Sequence, residues 1–197
     1  MELNEYKNRK NCILASCSYN QVDILKRCLC DVCDKCKGEC CQNSPCVMSP
    51  TEFVNINDMD YMKNVLDTGV LTIAPCNEGC NFYVIRPRGV KDLDTIVTGF
   101  VEYNNSCILQ GENGCVLEPL FRPTGGLLLI PKEQYGEIKC VQHYSDFKTI
   151  EDWKKHQKVL KELIEIYRNV EIEKPKATEE TVKKYKLALL GCKKETN

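Results

Sequence analysis

No stretch of this chain is apolar for long enough to cross a membrane or to form the core of a secretion signal. Its start, MELNEYKNRKNCILAS, holds no run of the necessary length. The sequence therefore predicts a cytoplasmic protein with no membrane partner. Charge of one sign is also missing: 27 basic residues face 28 acidic ones, for a formal net charge of −1. That balance gives no electrostatic reason to expect nucleic acid as a partner. Histidine is scarce, with only His143 and His156. His143 falls in an alternating, strand-like run and His156 on a helix face, so both read as core or edge residues rather than ligands. No internal repeat, phosphate-binding loop, nucleophile–base pair or pair of acid/base carboxylates stands out.

What the chain does have is cysteine, 15 of them in 197 residues. Seven lie close together: Cys28, Cys30, Cys33, Cys36, Cys40, Cys41 and Cys46. The others are Cys12, Cys17, Cys76, Cys80, Cys107, Cys115, Cys140 and Cys192. A disulfide framework belongs to small secreted chains with an even cysteine count. Here the count is odd, the chain is long enough for a real core, and no export signal is expected. Reduced thiols around a soft metal are the better reading, since closely spaced ligands lower the entropic cost of closing a site. Scattered Cys12, Cys17, Cys140 and Cys192 read as small, partly buried hydrophobes. Cys76 and Cys80, in the polar turn PCNEGCN, are balanced between the two roles.

The remaining sequence predicts an α+β fold. A small mixed domain over residues 1–146 is organised around the cysteine site, and a helical segment over 147–197 packs on it. A first helix opens at Asn20. Gly38, Pro45 and Pro50 exclude long regular structure from the cysteine-rich stretch. A short helix capped by Asn57 places Met59, Met62 and Leu66 on one face and ends at Gly69. Strands are expected at Leu71–Ala74, Phe82–Arg86, Thr95–Val101, Leu127–Ile130 and Lys139–Tyr144. The pairs Cys76/Cys80 and Cys107/Cys115 then fall on connections, where ligands are usually presented. A helix starting at Thr149 with Asp152 carries Trp153, His156, Leu160, Leu163, Ile164 and Tyr167 on one face. After a break at Glu171–Lys176, a last helix turns Val182, Tyr185 and Leu189 inward and ends at Gly191.

Spacing points to a metal type. Cys30, Cys33, Cys36 and Cys40 spell C-x₂-C-x₂-C-x₃-C, the bacterial ferredoxin run for a four-iron cluster. Cys41 stands where that run has proline, and no second run exists for a partner cluster. A zinc ribbon would need a second C-x₂-C, whereas the later pairs are Cys76-x₃-Cys80 and Cys107-x₇-Cys115. A metallothionein-type store would lack a hydrophobic core, and this chain is 43% hydrophobic.

An ordered series of motifs reaches further. CDKCKGECCQNSPCVMSPTEF (Cys33–Phe53), FYVIRPRG (Phe82–Gly89) and SCILQGENGCVLEPLFRPTGGLLLIP (Ser106–Pro131) together resemble the YkgJ-type cysteine-cluster family of zinc- or iron-chelating domains. The resemblance covers residues 28–145. It implies ligands among Cys36, Cys40, Cys41, Cys46, Cys107 and Cys115, with Cys33 added, and it sets Arg122-Pro123 just after the second pair. Many members carry a further cysteine after that Arg-Pro, where this chain has Thr124-Gly125-Gly126, so Cys46, Cys140 or no residue takes its place. Adjacent Cys40 and Cys41 point in different directions, so one binds while the other packs, or the two serve two metals or a cluster. Cys107 and Cys115 would clip the N-terminal loop onto the core, coupling metal binding to folding. Arg86, Arg88 and Arg122 read either as ordinary salt-bridge partners or as compensation for an anionic thiolate site.

The expected function is a metal-binding protein holding an iron–sulfur cluster or iron, with zinc as the alternative cofactor. Two other classes stay open: a metal-dependent enzyme in redox or protein modification, and a structural zinc module that presents its helices to a protein partner.

Overall fold

The computed structural model of the chain describes residues 2–17, 39–77, 79, 81–100, 104–134, 137–142 and 150–192; for 11–17, 39–40, 129–134 and 137–142 it describes the main chain alone. The fold is α+β, and the described residues form the following helices and three separate antiparallel hairpins. The helices are α1 (Leu3–Cys17), α2 (Glu39–Asn43), α3 (Met59–Leu66), α4 (Thr124–Leu127), α5 (Gln157–Tyr167) and α6 (Glu179–Leu189). The strands are β1 (Leu71–Pro75), β2 (Tyr83–Pro87), β3 (Gln110–Gly111), β4 (Gly114–Cys115), β5 (Leu129–Gln134) and β6 (Glu137–Gln142).

The centre is the β1–β2 hairpin, paired with Ile73 opposite Ile85. Both are fully buried, and β-branched residues suit a pleated surface covered on both faces. The Ile73 amide donates to Ile96 O and the Thr98 amide to Ile73 O, so residues 96–98 run alongside β1. The expected strand at Thr95–Val101 is therefore reduced. Among its described residues Thr95 and Val97 make bridges, to Glu171 and Ile73, as Thr95 pairs with the C-terminal segment.

Helix α3 forms as its apolar spacing predicts, burying Met62, Val65 and Leu66. Its cap is Asp58 rather than Asn57: the Asp58 carboxylate accepts the Tyr61 amide at 3.0 Å, the reach of a residue just before the first turn. Gly69 comes next at φ 73, and a Cβ there would stand 2.9 Å from Glu173 O, so both conformation and space require glycine. The expected strand at Leu127–Ile130 is displaced as well. The Leu127 and Leu128 amides donate back to Pro123 O and Thr124 O, closing the turn α4, and β5 begins only at Leu129.

Toward the C-terminus, a 3-10 turn at Trp153–His156 precedes α5, and the Asp152 side chain makes no cap bond. The Trp153 indole donates to Met48 O at 2.7 Å. Leu160, Leu163 and Tyr167 from α5, and Tyr185 and Leu189 from α6, join the same core as Met48, Phe53, Ile73 and Ile85. Each such burial stabilises by roughly 1.5–3 kcal/mol. The segment after α5 is held by Arg88, whose side chain is fully buried. Its guanidinium donates to Ile172 O at 2.6 Å and Leu93 O at 2.5 Å.

Helix α1 is an element the apolar pattern does not announce; the helix expected at Asn20, like Thr149, lies outside the described residues. On α1, Tyr6 and Lys10 sit one turn apart and both are buried, at 1% exposure each. Tyr6 stacks on Phe121 with ring centroids 5.5 Å apart. The Lys10 ammonium pairs with Glu52 and donates to Arg122 O at 2.6 Å. The other Glu52 oxygen accepts the Ser49 amide at 2.5 Å and the Thr124 amide at 3.0 Å. Removing one partner of such a pair strands a buried charge. Lys10→Met is therefore expected to cost about 3–5 kcal/mol of stability by chemical denaturation. A loss under about 1 kcal/mol would show that water reaches the pair.

Candidate functional site

Helix α2 carries the end of the cysteine-rich stretch, and the segment 105–107 lies against it. The Cys107 amide donates to Cys41 O at 2.8 Å and the Asn105 amide to Asn43 O at 3.2 Å. The Ser106 hydroxyl adds a bond to Gln42 O at 3.1 Å. Three successive contacts thus lace residues 41–43 to residues 105–107. On its other side this segment pairs with the RPRG stretch: Val90 donates to Ser106 O at 2.7 Å and Ile108 to Arg88 O at 3.0 Å. Residues 108–117 then turn back through the β3–β4 hairpin, in which Cys115 faces Gln110. Gly114, at φ 102, permits the tight reversal.

Of the seven residues singled out as ligands, the structure brings Cys41 and Cys107 together through the main chain. Cys115 lies close enough to Cys107 for their charges to interact. The Cys46 sulfur lies over Gly126, 3.5 Å from where a Cβ would stand. That is the Thr124-Gly125-Gly126 stretch which has no cysteine of its own. Cys33 and Cys36 lie outside the described residues, and Cys40 is described only as main chain in α2. Among the described residues, no three His, Cys, Asp or Glu side chains come together as a metal-holding group.

Cys107 is buried, and burial pushes its thiol up to about 12, with the neighbouring Cys115 adding to the rise and Arg86 opposing it weakly. The arginines are mainly structural. Arg86 grips the Asp92 carboxylate through two bonds, at 2.9 and 3.0 Å, and Arg88 donates to main-chain carbonyls of Ile172 and Leu93 and pairs with Asp94 at 3.6 Å. Arg122 Nε donates to Leu117 O at 2.8 Å, fixing the return from the β3–β4 hairpin.

Other sequence candidates resolve more simply. Cys76 closes the β1–β2 hairpin, its amide donating to Phe82 O at 2.8 Å, while Cys80 lies outside the described residues. His156 stands edge-on to Trp153, and burial holds its imidazole below the ordinary range, so it stays neutral near pH 7. His143 lies outside the described residues. What sequence reasoning missed is the phenol group beside the thiols. Fully buried Tyr185 is raised well above its ordinary range, first by burial, with Tyr6, Tyr61, Cys115 and Cys107 all contributing. Its hydroxyl points to the Met48 sulfur at 3.8 Å, and the buried Tyr6 hydroxyl has no hydrogen-bond partner. Periodicity marked Tyr185 as inward-facing but carried no sign of its neighbours.

No family model matches the chain, and neither a curated protein nor a solved structure shows significant similarity to it.

Raising the Cys107 pKa on folding favours the neutral thiol. The stability it contributes is complete below the ordinary thiol value of 9.0 and is lost as pH climbs toward about 12. In metal-free folded protein, Cys107 should resist alkylation at neutral pH while exposed Cys192 is modified, as mass spectrometry of digested protein would reveal. Equal labelling of both would contradict the burial.

Proposed function

We propose that this chain is a metal-binding protein of the YkgJ type, holding iron as an iron–sulfur cluster, or zinc, through cysteine thiolates. The observation that carries the reading is the junction of Cys41 with Cys107, 66 positions apart in sequence, at the point where Cys115 returns. The main chain at the end of the clustered run meets that of the distant pair there, which is what a chelating site drawing on both would need. Because the described residues alone assemble no three-ligand group, the site needs thiols from Cys33, Cys36 or Cys40. The donor set fits soft metals: it is sulfur throughout, with no histidine or carboxylate in it.

The chain's own contribution is to hold those thiols and exclude water. Each coordinating thiol gives up its proton, so loading becomes more favourable as pH rises. Burial keeps the Cys107 thiol neutral near pH 7, so its proton would have to leave on metal binding. Iron as a cluster is favoured over zinc by the Cys30, Cys33, Cys36 and Cys40 spacing and by the number of thiols. Four would satisfy zinc and leave the rest idle. A cluster also needs a reducing setting, which a cytoplasmic location supplies. A second reading, a structural zinc module, draws support from the same junction, since a closed four-thiolate ion there would fasten α2 to the β3–β4 hairpin.

Anaerobic purification with metal and acid-labile sulfide analysis tests both. The expected result is brown protein with sulfide roughly stoichiometric with iron, bleaching in air, and loss of most of the metal in Cys107→Ala. Colourless protein carrying only zinc would leave the structural module standing. Protein without bound metal, or a Cys107→Ala variant retaining its full complement, would overturn the reading.

A further inference from the structure

One carboxylate holds both of the segments that meet at Cys107. Gly89 bridges Cys107 in antiparallel fashion, with the Val90 amide on Ser106 O at 2.7 Å and the Ile108 amide on Arg88 O at 3.0 Å. Asp92 Oδ2 accepts the Gly89 amide at 2.7 Å, and Asp92 Oδ1 accepts Asn105 Nδ2 at 2.9 Å. A single side chain thus ties the residue opposite Cys107 to Asn105, which lies just before Cys107 in the chain. Each oxygen also accepts from Arg86, Oδ2 from Nη1 at 2.9 Å and Oδ1 from Nη2 at 3.0 Å. Asn105 Oδ1 accepts the Lys91 amide at 2.8 Å, and the Asn105 main-chain amide donates to Asn43 O at 3.2 Å.

Arg86, Asp92 and Asn105 are all buried. A buried ion pair adds little stability over apolar residues of similar volume, but a polar network with every member satisfied restricts the chain to one arrangement. Asp92 is satisfied, with each oxygen accepting two donors. Space is equally restrictive, since a Cβ on Gly89 would stand 2.2 Å from Asn105 Oδ1. The network also lies within electrostatic reach of the thiol. After burial, which dominates, Arg86 and Asp92 both act on Cys107, with opposite signs. Hydrogen bonds of this kind, one step outside a metal, commonly hold its ligands in place.

We propose that Asp92 and Asn105 are positioning residues of the metal site, fixing the place of Cys107 against Cys41. The inference rests on the metal reading, in which Cys107 is a ligand. Neither residue coordinates: the Asp92 oxygens are filled, and the Asn105 oxygen is on the Lys91 amide. They act through the main chain. Asp92 fastens Asn105 and Gly89 together, and the segment 105–107 carries that placement to the Cys107 amide, which donates to Cys41 O at 2.8 Å.

Cobalt(II) reads such a site, because thiolate coordination gives the ion strong visible absorption. The metal-free full chain, reduced and anaerobic, is titrated with cobalt(II) as wild type, Asn105→Ala and Thr98→Val. Thr98 is the control: it is buried and bonds Arg86 at 3.4 Å and Thr72 at 3.2 Å, but makes no bond to Gly89 or Asn105. Asn105→Ala should bind cobalt roughly 10–100-fold more weakly and with altered thiolate absorption at saturation. Thr98→Val should keep the wild-type affinity and spectrum even where its melting temperature falls. Alkylation of the metal-free proteins gives a second reading, in which Cys107 should label faster in Asn105→Ala than in wild type or Thr98→Val. If Asn105→Ala does not fold, Asn105→Ser, which keeps a hydroxyl at that position, takes its place in both measurements. Wild-type affinity and labelling in the Asn105 variant, or an equal loss in Thr98→Val, would overturn the proposal. A wild type that binds no cobalt would instead count against the metal reading, and the labelling comparison then decides by itself whether Asn105 holds Cys107 in place.

Discussion

A buried ion pair, Lys10 with Glu52, holds together the parts on which the candidate site rests. Glu52 closes the turn that starts at Ser49 and also accepts the Thr124 amide, while Lys10 reaches Arg122 O. Three distant segments, the N-terminal helix, the turn after the cysteine-rich stretch and the stretch beyond Pro123, thereby share one charged centre. Such a pair adds little stability over an apolar substitute, but it is exacting about geometry, because either charge left alone is costly. Specific positioning, rather than net stabilisation, is the natural use of a lysine and a glutamate at 1% and 0% side-chain exposure.

That positioning has a consequence for the cysteines. Helix α1 is pinned at Lys10, and the chain is pinned again at Cys41 by the Cys107 amide. Cys12, Cys17, Cys28, Cys30, Cys33, Cys36 and Cys40 all lie between those two anchors. Under the proposed function, anchoring the chain at both ends would lower the entropic cost of bringing those cysteines to a metal. The second anchor is itself braced. The segment 105–107 lies between α2 and the RPRG stretch, and Asn105 is bound to Asp92 as well as to Asn43. A side chain at Gly89 would collide with Asn105, with a Cβ only 2.2 Å away, so the glycine of that motif serves close approach.

Much of the architecture was legible in the sequence where apolar spacing was strong. Met59, Met62 and Leu66 announced α3, Leu71–Ala74 announced β1, and Leu160, Leu163 and Tyr167 announced the inward face of α5. Helix α1 was hidden because the buried residues of its described first half are a tyrosine and a lysine, and lysine is ordinarily read as surface. The stretch from Thr95 to Val101 looked like a strand by composition, yet tertiary pairing left it only two bridges. For the site, spacing and the family resemblance pointed to Cys33, Cys36, Cys40, Cys41, Cys46, Cys107 and Cys115, of which the structure joins Cys41 and Cys107 through the main chain. Sequence could not supply the backbone bond that joins two of them, the packing of Cys46 on Gly126, or the phenols of Tyr6 and Tyr185. Those depend on contacts between residues far apart in the chain.

Under the proposed function, thiolate coordination rather than apolar burial holds the cysteine-rich stretch against the rest of the fold. Hydrogen exchange read by mass spectrometry, on anaerobically purified protein before and after chelation, tests it most directly. The account predicts that removing the metal lowers protection across residues 28–50 and 105–117 while α5 and α6, which carry their own buried faces, stay protected. Unchanged protection across residues 28–50 after the metal is gone, or an equal loss in α5 and α6, would contradict it.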